Sequence, residues 1–465
     1  MNNRSHKALS VALQEQKERL VPCVHCGFCL PVCPTYVRLG DENDSPRGRL
    51  YLMRAVVEGR LSVASDAFQT HIDRCLGCRA CEPACPSGVE YGVLLELARN
   101  AVFQERKARP LVRAILYVFR RKAWLRWSMK VARVSRQLGL AWLGMKLTPK
   151  LSSFHTIRFG FAMINASRSS NLSSPSKTSK LLPWSATISN RDPLSGIYEK
   201  DVAEEIVPIP PRMLRVALLN GCVQGGLFAR VNDATHRVLE ANGFQVVIVA
   251  GQNCCGALHT HAGDIENARQ LARTNISAFT KANIDRIVVN SAGCGVALKE
   301  YGHLLAEDPD YAEIAARLSD NTRDVCELLH EYGIRIGAPV PIKATYDAAC
   351  HLCHAQLIKN APMTVLEAIP GLDITPLSGE EECCGGAGIY GLTHPGLGES
   401  IGSDKVASVI ETKADVVITA NPGCIMQIGA GLLLQNSSVT AHHPIELLDE
   451  SYRRAGFYNM KSLLP

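Results

Sequence analysis

The sequence predicts an α-helical, thiol-rich N-terminal domain followed by a duplicated α/β domain with parallel sheets. Three observations carry this expectation. Four cysteines in CVHCGFCLPVCP (23 to 34) recur in CLGCRACEPACP (75 to 86), each displaced by 52 residues, as from Cys23 to Cys75. From about Arg212 onward, short runs rich in Val and Ile alternate with helical stretches, the signature of βαβ units around a parallel sheet. A Cys…Cys-Cys-Gly…Cys series in that half then returns at offsets of 128, 129, 129 and 130 residues (222 to 350, 254 to 383, 255 to 384, 294 to 424), an internal duplication with one-residue loop adjustments.

At 465 residues the chain has room for roughly three domains. Hydrophobic residues at 46% and charged ones at 20% describe a globular protein rather than a disordered or membrane-spanning one. The opening MNNRSHKALSVALQEQKERL has no apolar signal region, and no later stretch approaches the ~18 apolar residues of a spanning helix, so the expected compartment is the cytoplasm. In that reducing setting eighteen cysteines are metal ligands or core residues rather than a disulfide framework.

Each N-terminal run matches C-x2-C-x2-C-x3-C-P, in which three thiolates hold one 4Fe-4S cube and the fourth crosses to the partner cube. The expected sets are Cys23, Cys26, Cys29 and Cys85 for one cluster, and Cys75, Cys78, Cys81 and Cys33 for the other. A pair of zinc sites is the plainer alternative, but zinc takes two ligands from each of two knuckles and has no use for four thiols in one run. Between the runs, SPRGRLYLMRAVVEG (45 to 59) has a Ser-Pro helix start and apolar Leu50, Met53, Val56 and Val57 at helical spacing. A helical connection of that length suits an α-helical ferredoxin domain over residues 1–105. Arg47 and Arg49 fit either of two roles, raising the potential of a nearby cluster or standing as solvated charges in a first helical turn.

Residues 106–165 form a basic connector. Residues 106–150 carry 13 Lys and Arg and no Asp or Glu, with apolar steps at Leu111, Ile115 and Val118, then Leu125, Met129 and Ala132. Such an amphipathic basic segment, here bearing Trp124, Trp127 and Trp142, suits an anionic membrane surface, an acidic partner, or simple packing on its own domain. No recognition motif accompanies the charge, so nucleic acid is not an expected partner. Residues 166–211, beginning ASRSSNLSSPSKTSK, read as a Ser-rich linker.

The two Cys-Cys-Gly repeats are expected at 212–337 and 338–465. In open α/β sheets ligands gather beyond the carboxyl ends of strands, and all eight repeated cysteines fall there: Cys222, Cys254, Cys255 and Cys294, then Cys350, Cys383, Cys384 and Cys424. Neighbouring thiolates repel unless a cation holds them, and soft thiolate sites choose zinc or iron-sulfur centres, so a further cluster or zinc is expected in at least one repeat. Cys326 reads as core, Cys353 as a spare ligand for the second set, and Gly386, Gly388 and Gly391 as the wall of a thiol site rather than a nucleotide loop. The chain has no flavin or nucleotide fingerprint of its own.

In this order, the two ferredoxin runs, the basic connector and the two repeats resemble the iron-sulfur subunit of glycolate oxidase. The resemblance rests on CVHCGFC with CPTY, GDENDSPRGRLYLMR, HIDRCLGCRACEPACPSGV, GCGVALKEYG, and CHLCHAQ followed by CCGGAGIYGLTHP. It implies that a separate FAD-containing subunit oxidises glycolate, or a related 2-hydroxy acid such as D-lactate, and that this chain relays the electrons to a membrane acceptor, quinone, from the inner face of the cell membrane. Heterodisulfide reductases share the Cys-Cys-Gly domains and suggest an alternative thiol/disulfide oxidoreductase. They close each repeat with C-x-x-C, however, and here Ser291 and Asn421 replace the first of those cysteines.

Overall fold

The computed structural model describes residues 17–106, 109–149, 151, 154–168 and 214–458. The N-terminal region is helical: α1 (Pro34–Leu39), α2 (Pro46–Val57), α3 (Asp66–Asp73) and α4 (Tyr91–Glu105). In α2 the Ser45 hydroxyl accepts from Gly48 N at 2.9 Å and Pro46 occupies the first turn, where its missing N–H costs nothing. The anticipated stripe of Leu50, Met53, Val56 and Val57 is buried, packed with Phe68 and Ile72 of α3 and Leu94, Leu95 and Ala98 of α4. Cys75 and Cys81 belong to the same core, so hydrophobic packing and thiol placement are one construction.

The connector folds as four helices, α5 (Pro110–Arg120), α6 (Lys122–Gln137), α7 (Leu140–Leu147) and α8 (His155–Ala166). The second expected stripe holds: Leu125 is buried, and Met129 and Ala132 pack on the main core. The first is out of phase. Leu111 is 50% exposed, and the buried residue of α5 is Leu116, whose carbonyl lies 3.2 Å from His259 Nε2. Nearly every position of LVRAILYVF is apolar, so spacing alone cannot select the packed face. The outward face carries Trp124, Trp127, Val131, Val134 and Leu138. Among the described residues no helix is long and apolar enough to cross a membrane. Past Arg168, the Ser-rich linker expected at 166–211 lies outside the described residues.

Each repeat holds a four-stranded, all-parallel sheet. The first has β1 (Arg215–Leu218), β2 (Gln245–Val246), β3 (Arg286–Val289) and β4 (Thr322–Asp324) in the order β2-β1-β3-β4; the second has β5 (Ile342–Tyr346), β6 (Leu372–Thr375), β7 (Val416–Ile418) and β8 (Thr440–His442) in the order β6-β5-β7-β8. The registers match as well, Val216 opposite Arg286 and Ala344 opposite Val416. Strand order reverses between β1 and β3, and again between β5 and β7. Connections there leave in opposite directions and open a crevice at the carboxyl ends. Cys222 and Cys294 flank the first crevice, Cys350 and Cys424 the second.

The repeats share one continuous core, with Val216, Phe228 and Val238 of the first joined to Ala344, Val365, Val417 and Leu448 of the second. A bidentate Arg237–Asp449 pair (2.9 and 2.7 Å) and the Asn242–Tyr452 hydrogen bond close the seam. Each Cys-Cys pair is followed by a glycine in the left-handed region, Gly256 (φ +94°) and Gly385 (φ +79°). The two differ in surroundings: a Cβ on Gly385 would lie 2.6 Å from Gly398 O, whereas on Gly256 the nearest atoms are at 3.5 Å. Gly256→Ala should therefore cost about 1–2 kcal/mol from backbone strain alone. Gly385→Ala should cost more, read as the larger drop in thermal midpoint; equal drops would contradict the crowding argument.

Candidate metal centres

Cys23, Cys26, Cys29 and Cys85 border a single cavity together with Leu50 and Tyr91, and Cys81 of the second run reaches the same wall. Cys26 is exposed, flanked by Val24 and Phe28 at 68% and 64% exposure. The second set is buried deeper. Cys33 sits at the N-terminus of α1 with Sγ 3.2 Å from Thr35 Oγ1. Cys75 accepts from Gly77 N at 3.4 Å and from Tyr91 Oη at 3.5 Å. Burial, then the neighbouring Cys78, Cys75 and Cys33, push the Cys81 thiol well up.

The two arginines of α2 take different roles. Arg47 is partly exposed, bonded to Glu42 and to His25 O. Arg49 is fully buried, donating to His71 O, Thr35 Oγ1 and Asp44 Oδ1, while Asp44 is also held by Arg74 at 2.9 Å and His71 at 3.0 Å. Burial opposes the Arg49 charge, yet Cys75, Tyr91, Cys33 and Asp44 push its pKa up. Conversely, burial raises the Cys75 thiol, but Arg49 and Arg99 outweigh it and the thiol titrates below its ordinary value. Arg49 Nη1 is buried with no hydrogen-bond partner among the described residues. An unpaired buried donor costs about 1–3 kcal/mol, and an anionic thiolate-bound cluster at Cys33 and Cys75 would offset it. The residues present fit that group.

In each repeat the four thiols form a chain. Cys254 Sγ lies 3.5 Å from Cys222 Sγ, and Cys255 Sγ 3.2 Å from Cys294 Sγ. Cys222 is pushed well up by its hydrogen bond with Cys254, while that bond and the one to Cys255 hold Cys254 well down. The second repeat follows suit: hydrogen bonds from Cys383 lower Cys350, those from Cys383 and Cys424 lower Cys384, and the donors are raised. Ligand sulfurs around one tetrahedral zinc at Zn–S ~2.3 Å lie about 3.8 Å apart, so the spacing suits one soft ion. Lys405 and Asp347, paired at 2.7 Å and both buried, place a cation near Cys384. Cys326 is core, as expected. Cys353 is core too, its thiol turned to Ala348 O and Cys350 O and pushed up to about 12 chiefly by burial, so it joins neither chain of thiols.

Two arrangements went unread in the sequence. Ser291 and Asn421 meet across the seam: Ser291 Oγ donates to Asn421 Oδ1 at 3.3 Å, and Asn421 Nδ2 donates to Cys424 Sγ at 3.3 Å. The two substituted positions thus form a polar contact across the seam that ends on Cys424. Cys78 packs with Cys350 and Cys383 in one small apolar group, so the second ferredoxin set abuts the second repeat. Cys255 of the first repeat instead lines a separate cleft with Glu96, His261 and Glu300. There burial, and then Glu300, push the Glu96 carboxyl up to about 8. No periodicity reports such juxtapositions, because they join segments some 270 residues apart (78 to 350).

Comparison with known proteins bears on these sites. Residues 19–89 match the 4Fe-4S dicluster domain, and residues 216–299 and 344–429 each match a cysteine-rich domain. The probable glycolate oxidase iron-sulfur subunit of Bacillus subtilis is 34% identical over 96% of this chain and 98% of its own length. The chain belongs to the glycolate oxidase iron-sulfur subunit family. The Escherichia coli glycolate oxidase iron-sulfur subunit is 33% identical over 93% of this chain and 94% of its own. Lactate utilization protein A of Bacillus licheniformis is 33% identical over 51% of this chain and 99% of its own. As a member of this family the chain is an iron-sulfur electron-transfer subunit of an oxidoreductase complex, with 4Fe-4S clusters in its N-terminal region.

The buried charge of Arg49 should raise the potential of the cluster beside Cys33 and Cys75. Arg49→Lys should lower that midpoint slightly. Arg49→Met should lower it by about 100 mV, on the order of the effect of one unit charge several ångströms away at an effective dielectric near ~20. The other cluster's midpoint should stay put. An EPR-monitored redox titration resolves the two, and equal shifts in both would show a general loss of structure instead.

Proposed function

We propose that this chain takes electrons from a separate FAD-containing subunit that oxidises glycolate, and carries them through two 4Fe-4S clusters to quinone at the membrane surface. Cys23, Cys26, Cys29 and Cys85 would hold the entry cluster, and Cys75, Cys78, Cys81 and Cys33 the second. When bound, each cluster supplies storage for one electron at a time. The protein's part is spacing and electrostatics. The observation that carries the reading is the continuity of the sets: exposed Cys26 opens the first, Cys81 borders both, and Cys78 reaches the second repeat. The eight repeated cysteines would hold one further soft ion per repeat, zinc being the fit to the sulfur spacing. Ser291 and Asn421 supply no thiolate, which weighs against disulfide cleavage at these sites. The likeness to a lactate utilization protein supports a broader reading in which the donor is D-lactate.

The basic connector is assigned to the membrane surface. Exposed Trp124 and Trp127 stand edge to face at 6.1 Å on a helix whose neighbourhood carries no acidic residue, the composition of an interfacial helix on anionic lipid.

Anaerobic reconstitution of the full chain should yield about eight irons from the N-terminal sets, and Cys26→Ala should abolish glycolate-dependent acceptor reduction while the flavin subunit is still bleached by substrate. Unchanged turnover in that variant would remove the relay. Replacing Trp124 and Trp127 with Ala should weaken sedimentation with anionic vesicles about tenfold or more, with the wild-type binding falling as salt is raised; equal binding would assign the connector to a protein partner or to packing.

A further inference from the structure

The basic connector and the second cluster set meet at a cavity of about 140 Å³, a size that accepts a single benzene-like ring. Its walls combine apolar Leu76, Val102, Phe103, Val112, Leu258 and Ile389 with the charged Asp73, Arg99, Arg106 and Arg109. Leu76 stands next to Cys75 in the second run, so this wall is the ligand loop itself. Val112 belongs to α5, and Arg109 just before that helix donates to Thr393 O on the opposite wall at 3.0 Å.

Polar groups converge on the same space. Arg99 donates to Cys75 O, and Tyr390 donates to Arg74 O at 2.7 Å, so both are fixed by the cluster loop. His394 stacks on Tyr390 with ring centres 4.5 Å apart and sets Nδ1 3.0 Å from Thr393 Oγ1; in the tautomer whose Nδ1 accepts from that hydroxyl, Nε2 carries the N–H. Burial, then Arg109, Arg99 and Arg74, lower its pKa to about 4, so the ring is neutral near pH 7.

We infer that this cavity is the quinone site: the ring lies between Leu76 and Ile389, a carbonyl accepts from His394, and the tail leaves past Val112 toward the lipid on which α5 and α6 rest. The inference deepens the relay reading and rests on it for the source of electrons. The bookkeeping closes: oxidation of one 2-hydroxy acid to the 2-oxo acid on the partner flavin releases two electrons and two protons. The electrons arrive singly through the cluster held by Cys33, Cys75, Cys78 and Cys81, and the quinone takes both, with two protons from solvent, to leave as quinol.

The test is equilibrium binding of a benzoquinone bearing one isoprene unit to the full, cluster-loaded chain, beside steady-state glycolate-driven reduction of that quinone and of ferricyanide by the complex. Val112→Trp, a substitution on a partly exposed helix face, should weaken quinone binding tenfold or more by filling the mouth. His394→Phe should weaken it about tenfold through loss of one hydrogen bond. Both should leave ferricyanide reduction unchanged. Wild-type affinity in both variants would overturn the site. If glycolate fails to reduce the clusters of the wild-type complex, the relay reading falls, while the binding measurement still decides whether the cavity takes the ring.

Discussion

Gathering sixteen cysteines into four sets of closely spaced sulfurs is the constraint on which the rest of the architecture depends. Adjacent thiolates repel, and burial penalises each charge further, so every set needs positive charge at hand. Beside the second ferredoxin set the protein supplies it as Arg49 and Arg99, and beside Cys384 as Lys405. Isolated buried cations would themselves be costly. Each is therefore tied down: Arg49 by Asp44 within a Thr35, His71 and Arg74 network, Lys405 by Asp347. The helix α2 that presents Arg49 also buries Leu50, Met53 and Val56, so cluster electrostatics and the N-terminal core stand or fall together.

Spacing alone makes the N-terminal thiol runs and the duplication plain, because both are local patterns or fixed offsets. Helix α2 was legible too, through Ser45-Pro46 and its apolar period. The strands β4 and β8 were not: TRD and TAH are three-residue edges with one or two apolar atoms to betray them. Arg49 was ambiguous for a different reason. A guanidinium two residues from Arg47 looks the same in sequence whether it is solvated or fully enclosed, and the partner that decides it, Asp44, is shared with His71 and Arg74 from across the fold. The phase of α5 escaped because its apolar residues cover most of its circumference.

Duplication gave two equivalent crevices, yet the fold uses them unequally. Cys350 and Cys383 lie against Cys78, whereas Cys255 opens on a cleft with Glu96 and Glu300. The inequality follows from attachment: one ferredoxin domain cannot sit symmetrically on two repeats. The Ser291–Asn421 contact crosses the seam between the repeats and ends in a hydrogen bond to Cys424.

On the relay reading, the two ends of the N-terminal domain suit opposite tasks. At the first set Cys26 is exposed between Val24 and Phe28, with Val21 also 70% exposed, an apolar rim of the kind a partner protein covers. The second set lies deeper; Cys33, Cys75 and Cys81 are buried, packed by α2, α4 and, through Cys78, the second repeat. An electron admitted at the rim therefore moves from a solvated site toward one stabilised by buried cations. A reduced cluster is the more negative form, and Arg49 and Arg99 favour it at the inner site. The same two charges that make the inner thiols tolerable would thus give the relay its direction.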